Sequence, residues 1–301
     1  MSTQKTLTIA IPTYNRGIFL QENLSRVLKQ VVGFENEIEI LVSDNCSIDN
    51  TQSIIQDLIY SGAPIIYNRN NENIGMDGNF IYCFKNASAK YVWLLSDDDH
   101  LVEGSLPRIV NLLKEENYGL VHLSNARKKN SSELEIFTDF KKFTLEINFY
   151  LTFISGNIVK TKNISTFNFA NYYGTLIVQT PLYLTSALCE HKNLIIRFNV
   201  LEPAADAASN GGYNIFEVFV TNYLNILNEF KTRLGVIWYE KQKYLLFRGF
   251  VWGWLMILLI NSNHSLRFKT NKWFKIIFLK FWYEPYYFPL MVLFWFKKLF
   301  K

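Results

Sequence analysis

Cysteine is scarce in this chain: 301 residues carry three, Cys46, Cys83 and Cys189, all widely spaced. That spacing excludes a Cys-x-x-Cys metal site and a disulfide framework, and it suits a reducing compartment. The four histidines, His100, His122, His191 and His264, form no helical metal pair. No Gly-x-Gly-x-x-Gly follows the first strand-like segment, and no Walker loop ending in Gly-Lys-Ser or Gly-Lys-Thr occurs, so a glycine-lined helix start is not the means of holding phosphate. Long apolar runs are missing too. The longest uncharged apolar stretch, residues 249–260, has 12 residues, against about 20 for a bilayer-spanning helix. Met1 to Thr8 is polar, and no secretory leader is expected. Repeats and low-complexity tracts are also absent.

What the chain does contain is an apolar segment, Tyr91-Val92-Trp93-Leu94-Leu95, running through Ser96 into three adjacent carboxylates, Asp97, Asp98 and Asp99. Apolar residues without polar alternation fit a strand buried on both faces, as in a parallel sheet flanked by helices. Three like charges in a row need a cation, hydrogen bonds or full exposure to water. A hard dication held by one or two carboxylates together with substrate phosphates answers that need; a solvated acidic turn is the plainer alternative.

The flanking sequence predicts the same architecture. Leu7 to Ile11 reads as a strand halted by Pro12, and Phe19, Leu24, Val27, Leu28 and Val31 have helical spacing. Glu37 to Val42 is a second strand running into Ser43-Asp44-Asn45, with a helix N-cap before Ile54, Ile55, Leu58 and Ile59. A third strand is predicted at Ile65 to Asn68, then a loop from Asn70 to Asn79, a helical face of Phe80, Phe84 and Ala87, and the strand ending in the triplet. A helix near Leu106 to Glu116 and a strand over Gly119 to Ser124 follow. Successive strand, polar loop and helix units predict an α/β fold with a mainly parallel sheet and right-handed crossovers. Asp44 and Asp97 to Asp99 then lie at the strand ends where open sheets take ligands.

The segments IAIPTYNR (9–16), EILVSDNCSIDNT (39–51), NRNNENIGMDGNF (68–80) and YVWLLSDDD (91–99), in that order and spacing, resemble the family-2 inverting glycosyltransferases of GT-A fold, of the bacterial surface-polysaccharide type. The resemblance covers roughly residues 5–125. It implies a Rossmann-like domain that binds a nucleoside-diphosphate sugar, UDP by default, and transfers the sugar with Mn²⁺ or Mg²⁺. Carried over by position, Pro12, Thr13, Tyr14, Asn15 and Arg16 line the nucleotide. Asp44 with Asn45 accepts near the base, Arg69, Asn73 and Gly75 border the donor, and Asp97 takes the ribose side. Asp98 is the direct metal ligand with Asp99 beside it, while Ser96 departs from the acidic residue many relatives carry there.

Inversion needs a base at the acceptor hydroxyl, and a carboxylate is the usual candidate. The family's acidic pair beyond the triplet is missing here. Glu190, Glu202 and Asp206 are the only acids between Glu146 and Glu217; Asp206 is preferred because the Ala207-to-Gly212 stretch reads as an active-site loop. Ser155-Gly156-Asn157 resembles the acceptor-side segment, and a structural turn is the alternative there.

Composition divides the chain. Residues 231–301 hold thirteen Lys or Arg against two acids, Glu240 and Glu284, and 21 of the 49 aromatic residues, whereas residues 1–230 carry a net −6. Basic residues among Trp and Phe are the makeup of an interfacial segment on an anionic leaflet. A contact between copies in a homo-oligomer and a plain aromatic core are the alternatives, and nucleic-acid binding is not expected beside a sugar-nucleotide site. The expected organisation is a catalytic domain over 1–230, its donor half about 1–125 and acceptor half about 126–230, with a membrane-associating helical extension over 231–301. The expected function is transfer to a lipid-linked saccharide at the cytoplasmic face of the membrane. A sugar nucleotidyltransferase and a catalytically silent scaffold are the competing readings.

Overall fold

The computed structural model describes residues 4–124, 132–203, 211–260 and 268–299. The chain divides into two compact units, Met1–Phe143 with Tyr150–Ala207, and Thr144–Phe149 with Ala208–Lys301.

In chain order the first region runs β1 (Leu7–Thr13), α1 (Gly17–Val31), β2 (Ile38–Asp44), α2 (Thr51–Tyr60), β3 (Ile65–Arg69), α3 (Gly75–Asn86), β4 (Tyr91–Leu94), β5 (Asp99–Leu101), α4 (Ser105–Glu115), β6 (Leu120–Leu123), β7 (Leu134–Phe137), α5 (Phe140–Ile147), β8 (Asn157–Lys160), α6 (Gln179–Cys189), β9 (Asn193–Ile196) and β10 (Leu201–Pro203). Eight strands form one sheet in the order β3-β2-β1-β4-β8-β6-β9-β7. The strands from β3 through β4 are mutually parallel, as the repeated units predict. β8 enters antiparallel between β4 and β6, and β7 closes the far edge antiparallel to β9. Every residue of β1, β2 and β4 is buried, which is why β4 is an unbroken apolar run and why the polar Thr8 and Glu39 of β1 and β2 bond each other at 2.8 Å. The apolar stripe of α1, Leu20, Leu24, Val27 and Val31, packs into the same core.

Two boundaries differ from the sequence reading. β1 continues through Pro12 to Thr13, still paired with β2, while β4 pairs only as far as Ala10. The Thr13 carbonyl accepts from Asn45 N–H on the β2 side and the Ala10 carbonyl from Leu95 N–H on the β4 side. Pro12 therefore faces the side where β4 has ended, and its missing N–H breaks no ladder bond. Helix α3 starts at Gly75, four residues before the predicted loop ends. Gly75 takes φ +76°, and a Cβ at Gly78 would come within 3.0 Å of the Ile74 side chain. The glycines that read as loop are thus a helix entry and a close approach.

The second unit is helical: α7 (Tyr223–Leu234), α8 (Val236–Leu246), α9 (Trp252–Ile260), α10 (Trp273–Phe281) and α11 (Tyr287–Leu299), with π-helical turns at Glu217–Asn222 and Phe247–Val251. Gly235, at φ +91°, separates α7 from α8. A Cβ at Gly249 would lie 2.6 Å from the Phe149 ring, so the second π turn brings backbone against an aromatic face. Among the described residues no helix is long and apolar enough to cross a membrane.

The aromatic tail divides between core and surface. Phe247 lies 4.8 Å from Phe281 and 5.3 Å from Tyr286 between ring centroids, and Ile277, Tyr287, Met291 and Phe294 are buried. Phe274, Phe278, Trp282, Phe288 and Trp295 are exposed. At the centre of this unit Lys243, 1% exposed, pairs with Glu284 and donates to the Tyr283 hydroxyl at 2.6 Å, with its ammonium 4.0 Å from the Tyr283 ring. One of the tail's two acids is therefore an internal counter-ion.

Candidate active site

The parallel strands set their carboxyl ends side by side, with Thr13 opposite Asp44 in register and β4 ending at Leu94 on the other side of β1. The chain then turns through Ser96 to Asp99. Thr13 Oγ1 donates to Asp97 Oδ2 at 2.7 Å. Arg16, entering α1, places Nε 2.7 Å from Asp97 Oδ1 and Nη2 2.7 Å from Asp98 Oδ2, and its guanidinium stacks 4.5 Å from the centroid of the Phe19 ring. The Ser96 hydroxyl donates to Asp98 Oδ1.

Two residues that sequence reasoning did not place here hold the turn. Asn23 Nδ2 donates to the carbonyls of Ser96 at 2.9 Å and Asp99 at 2.8 Å. A fully buried asparagine beside Leu20 and Leu24 was the available signal. Ser155 Oγ accepts from Ser96 N–H at 2.8 Å, and its carbonyl accepts from Trp93 Nε1 at 2.8 Å. Asn157 has the structural role: it is fully buried, its Nδ2 donates to the Leu151 and Phe153 carbonyls, and its Oδ1 meets His122 Nδ1 at 3.0 Å.

Burial lifts the carboxyls of Asp97 and Asp99 to about 6 each, against the Arg16 guanidinium at Asp97 and the Ser155 hydroxyl at Asp99, and Asp98 between them adds to both rises. Three buried or half-buried carboxylates thus share one guanidinium. Among the described residues no group of three or more His, Cys, Asp or Glu is arranged to hold a metal by itself. A dication completed by phosphate oxygens needs only one or two carboxylates, and Asp98 fits that part: hard oxygen donors, 4% exposed, already facing a cation in Arg16.

The nucleotide-side residues form a connected shell. Asn15, at φ +54°, donates its N–H to Ser47 Oγ and accepts from Ile48 N–H through Oδ1, each at 2.8 Å, while the Tyr14 side chain is exposed. Asn45 Nδ2 donates to Asn73 Oδ1 at 2.8 Å and to the Gly75 carbonyl at 3.2 Å, and Asn73 Oδ1 also accepts from Gly75 N–H. Asp44, expected to accept near the base, closes β2. It is fully buried, with Oδ1 accepting from Ser47 N–H and Oδ2 from the Tyr67 hydroxyl, and Arg69 Nε stands 3.7 Å from Oδ2. In this arrangement Asp44 orients Tyr67 and the partly exposed Arg69.

The candidate bases separate widely. Glu190 follows α6 and binds Lys160 Nζ at 2.7 Å; Lys160 pairs with Tyr91 at the start of β4, so Glu190 sits at the opposite sheet edge from the triplet. Antiparallel β8 carries its partner away, which no local pattern signals. Glu202 lies in β10, whose Pro203 pairs with Asp99, but its carboxylate pairs with Arg26 and it shares with His100 the face turned to α1. The structure does not bring either carboxylate to Asp98. Asp206 and most of the predicted loop after it lie outside the described residues.

The chain is similar to known proteins in sequence and in fold. An abequosyltransferase from Salmonella typhimurium is 31% identical over 191 residues, 56% of this chain and 57% of that protein. A GalNAc(5)-diNAcBac-PP-undecaprenol β-1,3-glucosyltransferase from Campylobacter jejuni is 33% identical over 118 residues, 39% of this chain and 36% of its own length. The chain thus spans about half of the first relative and about a third of the second. In fold, the crystal structure of Staphylococcus aureus TarS residues 1–349 with UDP-GlcNAc matches 75% of this chain and 66% of that one, with a TM-score of 0.57 and 17% identity. The Glycosyl transferase family 2 pattern matches residues 8–171, more than half the chain and all of the parallel strand ends described above, and the protein belongs to that family of glycosyltransferases.

Proposed function

We propose that the first unit binds a nucleoside-diphosphate sugar, with UDP as the favoured nucleotide, and transfers the sugar with inversion to a saccharide carried on a lipid. The observation that carries this reading is the convergence of Thr13, Arg16, Asp97 and Asp98 at adjoining strand ends. The undecaprenol-linked substrate in the Campylobacter relative's name and the UDP-GlcNAc bound to TarS support the substrate classes.

In this reading Tyr14 and Arg69 flank the base, Asp97 is held for the ribose by Thr13 and Arg16, and the Asn45, Asn73 and Gly75 network sets the donor loop. Asp98, with Asp99 beside it, would hold Mn²⁺ or Mg²⁺, whose chemistry is to stabilise the charge of a departing diphosphate without a proton. Arg16 sets a second positive charge at the same point, which favours the leaving group in the same sense. For the base we keep Asp206. In the sequence it follows β10 by three residues, and Pro203 of that strand pairs with Asp99. Titration of the intact protein with UDP, GDP, CDP and dTDP sugars in the presence of Mn²⁺, followed by calorimetry, is the test. Metal-dependent binding of one donor that vanishes in Asp98→Ala supports the site; equal affinity in that variant refutes it.

For the second unit we propose peripheral attachment at the cytoplasmic face of the membrane. Exposed Phe274, Phe278, Trp282 and Trp295 stand among exposed Lys272, Lys275, Lys297 and Lys298, a mixture that suits the headgroup layer of an anionic bilayer. Sedimentation with phosphatidylglycerol vesicles tests it; equal recovery with and without vesicles, together with a dimer in solution, would assign the surface to a second copy.

A further inference from the structure

The segment from Phe167 to Val178, ahead of α6, is fixed onto the start of α3 by contacts that none of the family motifs accounts for. Asp77, in the first turn of α3 and 3% exposed, accepts through Oδ2 from Gly174 N–H at 2.8 Å and Leu176 N–H at 3.0 Å. The carboxylate thus ties the Gly174 to Leu176 backbone to the first turn of α3, where negative charge is favoured. A run of rings braces the same segment. Phe84 of α3 stacks on Phe169 at 5.9 Å and meets Tyr183 of α6 edge-on at 6.1 Å, Phe169 meets Phe167 at 4.9 Å, and Phe167 stacks on Tyr172 at 5.7 Å.

Next to this braced core, Tyr173 turns outward. It is 58% exposed, yet its hydroxyl donates to the Ile74 carbonyl at 2.7 Å and stands 3.9 Å from the place a Cβ would take on Gly75. A large aromatic side chain left in water while anchored at its tip has lost rotamer freedom without gaining burial. That cost is offset when a ligand covers the ring. The negative face of an aromatic ring attracts the C–H-rich face of a pyranose, and this ring stands beside Asn73 and Gly75, the residues read above as bordering the donor.

We propose that Tyr173 is a sugar-stacking platform at the rim of the site, and that Asp77 is the positioning residue that holds it there. The ligand class is a pyranose ring, supplied either by the donor sugar or by the acceptor saccharide. The inference rests on the proposed sugar-nucleotide reading, and the test separates the two.

The experiment uses the full chain and three measurements: affinity for the bare nucleoside diphosphate, affinity for the corresponding sugar nucleotide, and KM for the saccharide acceptor. Tyr173→Ala is expected to leave nucleoside-diphosphate affinity within twofold. It should weaken sugar-nucleotide binding at least fivefold if the donor sugar covers the ring, or raise acceptor KM at least fivefold with little change in kcat if the acceptor does. Asp77→Ala should reproduce the same split, and Asp77→Asn, which keeps an accepting oxygen, should restore it. Tyr173→Ala that changes none of the three, or weakens the bare nucleoside diphosphate as much as the sugar nucleotide, overturns the platform. Failure of the intact protein to bind any nucleoside diphosphate overturns the underlying reading instead.

Discussion

Both units bury charge, and they do so in opposite ways. In the helical unit Lys243 meets buried Glu284 beside the rings of Phe281 and Tyr283, next to half-buried Glu240, whose carboxyl is raised by burial, lowered by Lys243 and raised again by Glu284, and further lysines lie exposed. At the strand ends Asp97, Asp98 and Asp99 crowd around Arg16, with Asp44 and Arg69 nearby, and burial raises the carboxyls of Asp97 and Asp99. A matched buried pair is complete in itself and fixes packing. A crowded set of like charges where strands stop, held in shape by Thr13, Asn23 and Ser155, is an arrangement that clusters at functional sites.

The comparison is most severely tested at Lys243. Lys243→Met leaves the buried Glu284 carboxylate without its cation and beside Glu240, and about 3–5 kcal/mol of stability is expected to be lost by denaturant unfolding; adding Glu284→Leu should restore most of it. If the single variant is neutral, the two kinds of burial are not different. Asp98→Ala at the strand ends should have the reverse profile. Turnover is expected to fall by about 10²–10³ while the unfolding midpoint hardly changes, because Asp97 still faces the Arg16 guanidinium. Smaller, and confined to the helical surface, is the effect of Trp282→Ser with Trp295→Ser. Vesicle affinity should drop about tenfold, on the scale of two aromatic side chains leaving an interface, with donor binding unaltered.

The smallest effect concerns pH. Burial holds the Asp77 carboxyl above its ordinary value despite the N–H groups that favour its charge. The folded state therefore keeps that proton longer than the unfolded chain. The stabilisation is fully present below the unfolded value of about 4 and is lost as pH rises through the folded one. Asp77→Asn should abolish this slope, so thermal unfolding of the two proteins should diverge in the variant's favour above about pH 4. Parallel melting curves across pH 3–7 would assign no such role to burial there.

The legible parts of the fold were those in which neighbours in sequence are neighbours in space. β1 to β4 and their helices follow from apolar runs and helical spacing, and the order of Thr13, Asp44 and Asp97 along one edge follows from parallel crossovers. Pro12 misled because its harmlessness depends on where β4 stops. Gly75 and Gly78 misled because a helix entry and a close packing contact use the same residue as a loop. The insertion of β8 between β4 and β6 joins segments far apart in sequence, and with it Glu190 moved to the wrong edge. β5 and β10, three residues each, were too short to carry a pattern, and they turn Glu202 toward Arg26.

By itself the sequence determined the parallel core, the family, and a cluster of carboxylates at strand ends, because each depends on local periodicity or on residue type at fixed spacing. Only the tertiary structure decided which partners those carboxylates have. It gave Arg16 to Asp97 and Asp98, turned Asp44 toward Tyr67 and Arg69, buried Glu284 against Lys243 and set Asp77 beneath the loop that carries Tyr173. The physical reason is common to all four. The state of a buried charge is set by whichever group stands within a few ångströms of it, and that neighbour is chosen by packing between segments that share no local pattern.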